Sequence, residues 1–339
     1  MKIVFMGTAE LSLTSLEKLA RDKSFQIAAV VAQPDKPKGR ELKLQPSPVK
    51  SFALKLNLSV LQPMKARDEK FISELHELKP DLIVVVAYGQ ILPQAILDLP
   101  RFGCLNVHTS LLPKYRGAAP IQWAIANGET ETGVTIMKMD AGLDTGEIVA
   151  QRRAPILPED NSQTLHDRLA QLGAELLIET IPDFIAGKIQ SWSQPVQGAT
   201  YAAKIKKEDG RIDWNLPAQT LLNRLRAFTP WPGVFTFLSD SVRRASSRAE
   251  VEVVNPERLA SSLAPPKQQL LKIWKAEIIE YSGNAGAILS ADKNGIVVAC
   301  GKNALRILEL QLEGKRRMSA REFLAGHKFE TGGKFDQSF

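Results

Sequence analysis

The feature that most constrains the fold is an alternation between short apolar runs and helical patterns over residues 1 to 150. The runs are rich in β-branched residues and occur at Ile3–Met6, Ile27–Val31, Leu82–Ala87, Leu105–Val107 and Val134–Met137. Runs of this kind are typical of strands that are buried on both faces of a sheet. Between them, residues 11–20 and 71–78 carry apolar side chains at helical spacing. The alternation predicts an α/β fold with an open, mostly parallel sheet covered by helices.

Three side chains of different chemistry follow strands of this predicted sheet. Asn106 and His108 stand at the end of one strand, and because residues i and i+2 point to the same face, both should reach one pocket. Asp144 follows the next strand through the Gly-rich turn 140–146. Ligands of open parallel sheets bind beyond the carboxyl ends of the strands. An amide, an imidazole and a carboxylate are the groups needed to move an acyl-like group onto an amine, so the sequence predicts an enzyme.

Taken singly, each of these residues has an ordinary structural interpretation. A lone His is usually satisfied by its neighbours, an Asn often ends a strand, and an Asp between glycines usually makes a turn. Their joint occurrence favours a catalytic role for all three.

Several other classes of protein are excluded by the sequence. Gly7 ends the first strand without the further glycines of a dinucleotide fingerprint, so nicotinamide binding is unsupported. Cys104 and Cys300 fall in different predicted domains, and His76, His166 and His327 lack ligand spacing, so no disulfide scaffold and no metal site is predicted. No apolar run approaches the roughly 18 residues of a membrane span, and residues 1–6 resemble a strand rather than a signal peptide. These features predict a cytoplasmic protein.

The length of 339 residues predicts two domains, and the character of the chain changes near residue 200. We predict a catalytic domain over residues 1–189, closed by a helix over 164–187, and a linker over the polar residues 190–207. Residues 208–339 carry a helical segment at 221–227 and then short strands at Val234–Leu238, Leu270–Trp274, Ile296–Ala299 and Leu305–Leu312. Short strands separated by turns predict a small OB-like β-barrel, with residues 239–267 as an extended surface loop.

The positive charge of the chain is concentrated in its C-terminal part. Residues 204–339 hold 22 Lys and Arg against 15 Asp and Glu, which leaves 22 of each in residues 1–203 and places the whole excess of +7 in the second part. A neutral domain joined to a basic one predicts a polyanionic partner, RNA above all. The alternative is that the charge serves only solubility.

A basic, Pro-rich segment follows the second strand, where a short crossover would suffice. Residues 35–50 hold Lys36, Lys38, Arg40 and Lys43 among prolines, and this composition predicts neither helix nor strand. It is either a solvated loop or an arm that reaches a partner.

The chain resembles the methionyl-tRNA formyltransferases, and the resemblance covers essentially its whole length. Its most specific part is Asn106–Gln122, followed by Gly133–Met137 and Leu143–Gly146. Further matching segments are Gln33–Asp35, Gly39–Arg40, Pro46–Lys50, Val85–Gly89, Arg211–Trp214, Arg226–Phe228, Pro230–Pro232 and Met318–Ala320. One departure is Thr109, where many members carry glycine, and we expect it to narrow the rim of the pocket.

The resemblance implies a Rossmann-like formyltransferase domain followed by an OB-like barrel. It implies transfer of the formyl group of 10-formyltetrahydrofolate to the amine of methionyl initiator tRNA, with Asn106, His108 and Asp144 as catalytic residues. It also implies a folate site formed by Val86, Tyr88, Ser110, Leu111, Leu112, Pro113, Asp140 and Gly142. The arm residues Lys36, Lys38, Arg40 and Lys43 would contact tRNA. We expect a monomer without a metal.

Two other functions stay open at this stage. A formyltransferase that acts on an amino sugar nucleotide or on glycinamide ribotide would use the same three catalytic residues, but it would not need a basic barrel. A non-catalytic RNA-binding protein on the scaffold of a former enzyme would need neither Asn106 nor His108.

Overall fold

The computed structural model describes residues 1–38, 43–238, 269–327, 329 and 331–335. Two compact units are distinguished by their internal contacts: residues 1–124 with 129–204, and residues 125–128 with 205–339. Arg40 and the predicted surface loop 239–267 lie outside the described residues. The boundaries predicted at 189 and 207 stay predictions.

The first unit is built on a seven-stranded sheet in the order β10-β9-β7-β6-β1-β2-β5. The strands of this unit are β1 (Lys2–Gly7), β2 (Gln26–Val31), β3 (Lys36–Lys38), β4 (Lys43–Gln45), β5 (Val60–Leu61), β6 (Leu82–Val86), β7 (Cys104–His108), β8 (Arg116–Gly117), β9 (Glu131–Lys138), β10 (Ile148–Pro155) and β11 (Tyr201–Ala202). Strands β5, β2, β1, β6 and β7 are parallel, whereas β9 and β10 are antiparallel to their neighbours. The predicted open, mostly parallel sheet is confirmed.

Helices flank this sheet, as the apolar spacing predicts. They are α1 (Leu13–Arg21), α2 (Pro48–Lys55), α3 (Glu69–Leu78), α4 (Gln94–Leu97), α5 (Pro120–Ala126) and α6 (Ser162–Ile185). The long α6 is capped by Asn161, whose side chain accepts from two backbone amides of the first turn, while the Thr164 hydroxyl accepts from the Asn161 amide. Strands β6 and β7 are buried along their whole length, and α3 and α4 contribute to the apolar cluster that contains Ile83, Val85 and Cys104. The core therefore encloses the strand that carries Asn106 and His108.

The basic arm contains two strands. The prediction that it holds no regular element is therefore wrong. Strands β3 and β4 pair antiparallel, with Pro37 opposite Leu44. A proline lacks only the amide hydrogen, and it is tolerated in a two-stranded ribbon where that position faces away from the partner strand. Near the end of the arm, the Ser47 side chain accepts from the Lys50 amide and caps α2.

The segment predicted as a linker is bound to the first unit over much of its length. Trp192 exchanges two backbone hydrogen bonds with Ile148, at 2.8 and 2.9 Å. Further along, β11 pairs parallel with β8. A polar composition predicts exposure to solvent, but it does not exclude hydrogen bonding to loops that are distant in sequence.

The second unit is an antiparallel sheet in the order β12-β13-β16-β15-β14, with β17 paired to β16. Its elements are α7 (Ala218–Ala227), β12 (Val234–Leu238), β13 (Gln269–Ile279), β14 (Ile288–Asp292), β15 (Gly295–Ala299), β16 (Ala304–Leu312), β17 (Met318–Ser319) and α8 (Ala320–Gly326). The prediction of a second, smaller β domain after the mostly parallel one is confirmed, and its strands form this antiparallel sheet. Sequence patterns missed β14, β17 and α8.

Within the described residues, no helix combines the length and the apolar character that a membrane crossing requires.

Candidate active site

Asn106 lies in the middle of β7 and His108 is its last residue, and both are almost completely buried. Their side chains are 9% and 6% exposed. Asn106 is hydrogen-bonded into the sheet between Val85 of β6 and Met137 of β9. As predicted, the two side chains share one face, because they are two residues apart on a strand.

Asp144 reaches His108 by a route that the sequence does not predict. Strand β9 is antiparallel to β7, so Lys138 at its carboxyl end stands beside Leu105, while Thr135 stands beside His108. The loop that follows β9 must therefore turn back before it can approach His108. It does so, and Asp144 Oδ2 lies 3.7 Å from His108 Nδ1.

The loop is folded back by its own polar contacts and by glycine. Asp140 accepts from the Gly142 amide at 3.0 Å and from the Thr145 hydroxyl at 2.8 Å. A Cβ atom on Gly146 would lie 1.8 Å from the Lys138 carbonyl oxygen, so only glycine allows this approach. Asp144 itself has a φ of 52°, a left-handed conformation that costs a non-glycine residue about 1 kcal/mol or more.

The two nitrogens of His108 have different partners. Nε2 is 2.9 Å from the Tyr115 carbonyl oxygen. A carbonyl can only accept, so Nε2 carries the hydrogen and Nδ1 is the nitrogen that faces Asp144. The Asp144 carboxylate is in turn held by the Gly117 amide, which donates to Oδ2 at 2.7 Å. The arrangement leaves Nδ1 able to accept a proton beside a carboxylate that would stabilise the resulting charge.

No hydrogen bond of the Asn106 side-chain amide is found among the described residues, and the residue is 9% exposed. An amide donor that is free of protein partners on the strand of His108 is available to an external acceptor. A developing oxyanion is the acceptor that such a donor stabilises best.

The residues predicted to bind folate fall into two groups. Val86, Tyr88, Ser110 and Leu112 are buried, whereas Leu111, Pro113, Asp140 and Gly142 are half-buried or exposed. Burial raises the pKa of the Tyr88 hydroxyl to about 12, and that hydroxyl has no partner in the described part of the chain. Thr109 is also buried. Contact of these residues with folate stays a prediction.

Of the residues predicted to bind tRNA, Lys36 and Lys43 lie exposed on the two strands of the arm. Lys36 donates to the Gln33 side chain at 2.7 Å. Lys38 belongs to β3. Their contact with tRNA stays a prediction.

Neither cysteine is available as a nucleophile in this fold. Burial raises the pKa of Cys104 to about 12 and that of Cys300 to about 11, and both thiols are enclosed. In the part of the chain that the structure describes, no group of three or more His, Cys, Asp and Glu side chains is placed to hold a metal ion.

Sequence patterns missed four groups that hold the site together: the Tyr115 carbonyl, the Gly117 amide, and the side chains of Gln194 and Thr200. The first two are backbone groups, and the others lie about 80 residues away from the loop that they contact. The left-handed φ of 61° at Tyr115 also has no signature in the sequence.

Gly117→Ala should lower both stability and turnover. Gly117 has a φ of 112°, and a Cβ atom there would lie 2.8 Å from the Ala202 carbonyl oxygen. We expect a loss of about 1 to 3 kcal/mol in the free energy of unfolding and a fall in kcat of at least about 10-fold, because the amide that holds Asp144 must shift. Thermal melting and steady-state kinetics measure these effects. Gly198→Ala is the matched control, since Gly198 has a φ of 81° with no atom within 4 Å of an added Cβ. Equal effects of the two substitutions would contradict the prediction.

Comparisons with known proteins show the family to which the chain belongs. A family model described as formyl transferase matches residues 1–181, and one described as formyl transferase, C-terminal domain, matches residues 204–328. The methionyl-tRNA formyltransferase of Geobacter sulfurreducens is 44% identical over 100% of this chain and 98% of its own length. That of Caldanaerobacter subterraneus is 48% identical over 98% of this chain and 99% of its own length.

Solved structures show the same fold at low sequence identity. An N-formyltransferase from Helicobacter canadensis, crystallised with folinic acid and dTDP-3-aminofucose, has a TM-score of 0.61 at 19% identity and covers 91% of this chain and 99% of its own. HypX from Aquifex aeolicus, crystallised with tetrahydrofolic acid, has a TM-score of 0.57 at 17% identity and covers 97% of this chain and 48% of its own.

Proposed function

The chain belongs to the methionyl-tRNA formyltransferase family, and from this membership we propose that it transfers the formyl group of 10-formyltetrahydrofolate to the α-amino group of methionyl initiator tRNA. The product is formylmethionyl-tRNA for translation initiation. The observation that carries the proposal is the convergence of Asn106, His108 and Asp144 in a chain that matches these relatives over its whole length.

The three side chains fit a formyl donor and an amine. Asn106 donates its unpartnered amide hydrogen to the formyl oxygen, which becomes negative as the amine nitrogen bonds to the formyl carbon. A donor of this kind contributes about 3 to 4 kcal/mol to lowering the barrier. Because the amide is already held by a buried strand, little reorganisation is needed.

Proton movement falls to His108 and Asp144. His108 Nδ1 takes the proton that the amine loses, since Nε2 is committed to the Tyr115 carbonyl. Asp144 stabilises the imidazolium that forms. The proton is then returned to N10 of the folate, which leaves as the bond from the formyl carbon to N10 breaks. Every proton taken from the amine is therefore delivered to the leaving group.

We propose that tRNA is held by the arm and by the basic second unit. Lys36, Lys38 and Lys43 stand on the two-stranded ribbon of β3 and β4, and Arg40 lies outside the described residues. The whole net positive charge belongs to residues 204–339. Phosphates of the acceptor stem are the target that suits these cations.

Substrate identity is tested by offering the purified protein 10-formyltetrahydrofolate with three acceptors: methionyl initiator tRNA, an amino sugar nucleotide, and glycinamide ribotide. We expect formylation of the tRNA alone. Formylation of either small acceptor at a comparable kcat/KM would overturn the proposal. No transfer to any acceptor would favour the RNA-binding protein without activity.

Arg40→Leu should impair formylation of methionyl-tRNA far more than it impairs folate binding. Arg can contact a phosphate in bidentate fashion and stack on an unpaired base, which a Lys point charge cannot do. We expect kcat/KM for tRNA to fall by about 10- to 100-fold, equivalent to roughly 1 to 3 kcal/mol, with only partial rescue by Arg40→Lys. Equal losses in kcat/KM for tRNA and in folate affinity would mean that the substitution acts through folding.

We further propose that the enzyme works in the cytoplasm as a monomer. A monomer should elute from size exclusion with a mass of about 37.4 kDa by light scattering. A mass twice as large would contradict this.

A further inference from the structure

The segment Ser191–Ala202, which connects α6 to the second unit, is hydrogen-bonded to both loops of the candidate active site. Its first part bonds to the loop that carries Asp144, and its last part bonds to the loop that carries Tyr115. A covalent connection between domains does not require either set of contacts. The segment is therefore part of the scaffold of the site.

Gln194 is the residue of this segment that joins the two loops. Its Nε2 donates to the Asp144 carbonyl oxygen and to the Gly146 carbonyl oxygen, each at 2.8 Å. Its Oε1 accepts from Arg116 Nη2 at 2.7 Å and from Arg116 Nε at 3.0 Å. A side-chain amide has two hydrogens to donate and two lone pairs on its oxygen, so Gln194 uses its whole capacity here.

These bonds act on both partners of His108. Asp144 adopts a left-handed backbone that needs outside contacts to persist, and its carbonyl is one of the groups that Gln194 holds. Arg116 stands between Tyr115, whose carbonyl accepts from His108 Nε2, and Gly117, whose amide donates to Asp144 Oδ2. Gln194 thus fixes the spacing between the two groups that orient the imidazole.

The far end of the segment supports the same loop. The Thr200 hydroxyl accepts from the Tyr115 amide at 2.8 Å, and the Thr200 carbonyl accepts from the Arg116 amide at 2.9 Å. Strands β8 and β11 continue this pairing. Because Thr200 already supports the Tyr115 loop, the remaining role of Gln194 is to position the turn that carries Asp144 relative to that loop.

We propose that Gln194 is a positioning residue for formyl transfer, which it serves by holding Asp144 against the loop that orients His108. The proposal rests on the proposed function for its effect on turnover. It assigns Gln194 no contact with substrate, so substrate affinity should be nearly unchanged when Gln194 is replaced.

Gln194→Ala should lower kcat by about 10- to 100-fold, the effect of moving a catalytic group by about 1 Å. KM for the folate and for tRNA should stay within about two-fold, because only the transition state is affected. Gln194→Glu should lose at least as much, since a carboxylate retains the partner Arg116 but has no hydrogen for the two carbonyls. Gln197→Ala is the control: Gln197 lies in the same segment and is exposed. It should match the parent.

A double-mutant cycle separates positioning from general destabilisation. If Gln194 acts through Asp144, Gln194→Ala should lower kcat in the parent but not in the Asp144→Ala variant. The double variant should then have the same kcat as Asp144→Ala alone. An equal loss in both backgrounds, or parental kcat in the single variant, would overturn the proposal.

Amide hydrogen exchange tests the same claim without catalysis. The Gly117 amide, which donates to Asp144 Oδ2, should exchange at least about 10-fold faster in Gln194→Ala than in the parent and unchanged in Gln197→Ala. Unchanged exchange in Gln194→Ala would refute positioning by Gln194. Faster exchange together with a parent that does not formylate methionyl-tRNA would leave the positioning intact and refute the proposed function instead.

Discussion

Replacing His108 by alanine should lower kcat for formylation of methionyl-tRNA by at least about 100-fold. In the proposed mechanism the imidazole accepts the proton of the attacking amine through Nδ1, and no other described titratable side chain contacts both Asp144 and the Tyr115 carbonyl. Asn106→Ala and Asp144→Ala should each cost a similar factor. Each removes a group whose main interaction is made in the transition state, so KM should change far less than kcat.

Controls for this experiment are available on the same chain. His76 lies exposed on α3, and His76→Ala should retain parental kcat. Thermal melting should show that the three active-site variants remain folded. If one of them kept a kcat close to that of the parent, the catalytic role of that residue would be wrong.

Affinity for tRNA should fall steeply with salt concentration. The net charge of +7 lies in residues 204–339, and the arm adds further cations, so binding should be dominated by phosphate contacts. With about six phosphates neutralised, the affinity of the full-length protein should fall about 1000-fold between 50 and 200 mM salt, a slope of about −0.9 per phosphate.

Folate affinity, measured in the same buffers, is the control and should change much less, because a small ligand neutralises few charges. A flat response of tRNA binding would show that the charge serves solubility, the alternative that composition leaves open.

The parallel part of the sheet could be predicted because apolar runs such as Leu82–Val86 have only one stable environment. The direction of β9 could not be predicted, because an apolar run does not indicate whether the strand is parallel or antiparallel to its neighbour. The sequence therefore predicts Asp144 near His108, but by a route that requires β7 and β9 to end at the same edge of the sheet, whereas β9 runs antiparallel to β7. The loop geometry that brings it there depends on contacts such as that of Gly146 with the Lys138 carbonyl.

The polar parts of the chain were the least predictable. The prolines of the arm, such as Pro37, predict an irregular segment, yet Pro37 lies in a two-stranded ribbon. A proline is tolerated in a strand where the partner strand needs no amide hydrogen from it. Gln194 and Thr200 resemble linker residues, and their partners are distant in sequence. Gln194 bonds to the Arg116 side chain and to two carbonyls of the Asp144 loop, and Thr200 bonds to the Tyr115 amide. Neither composition nor periodicity carries information about such partners, whereas Asn106 and His108 are two residues apart on one strand and could be associated directly.

The central claim is that Asn106, His108 and Asp144 together transfer a formyl group to methionyl-tRNA. Its most direct test is the single-turnover rate of formylmethionyl-tRNA formation with enzyme in excess, compared between the parent and Asn106→Ala. We predict rapid, complete formylation by the parent and a rate at least about 100-fold lower for the variant, with the tRNA still bound. Formation of product by Asn106→Ala at the parental rate, or no product from the folded parent, would contradict the claim.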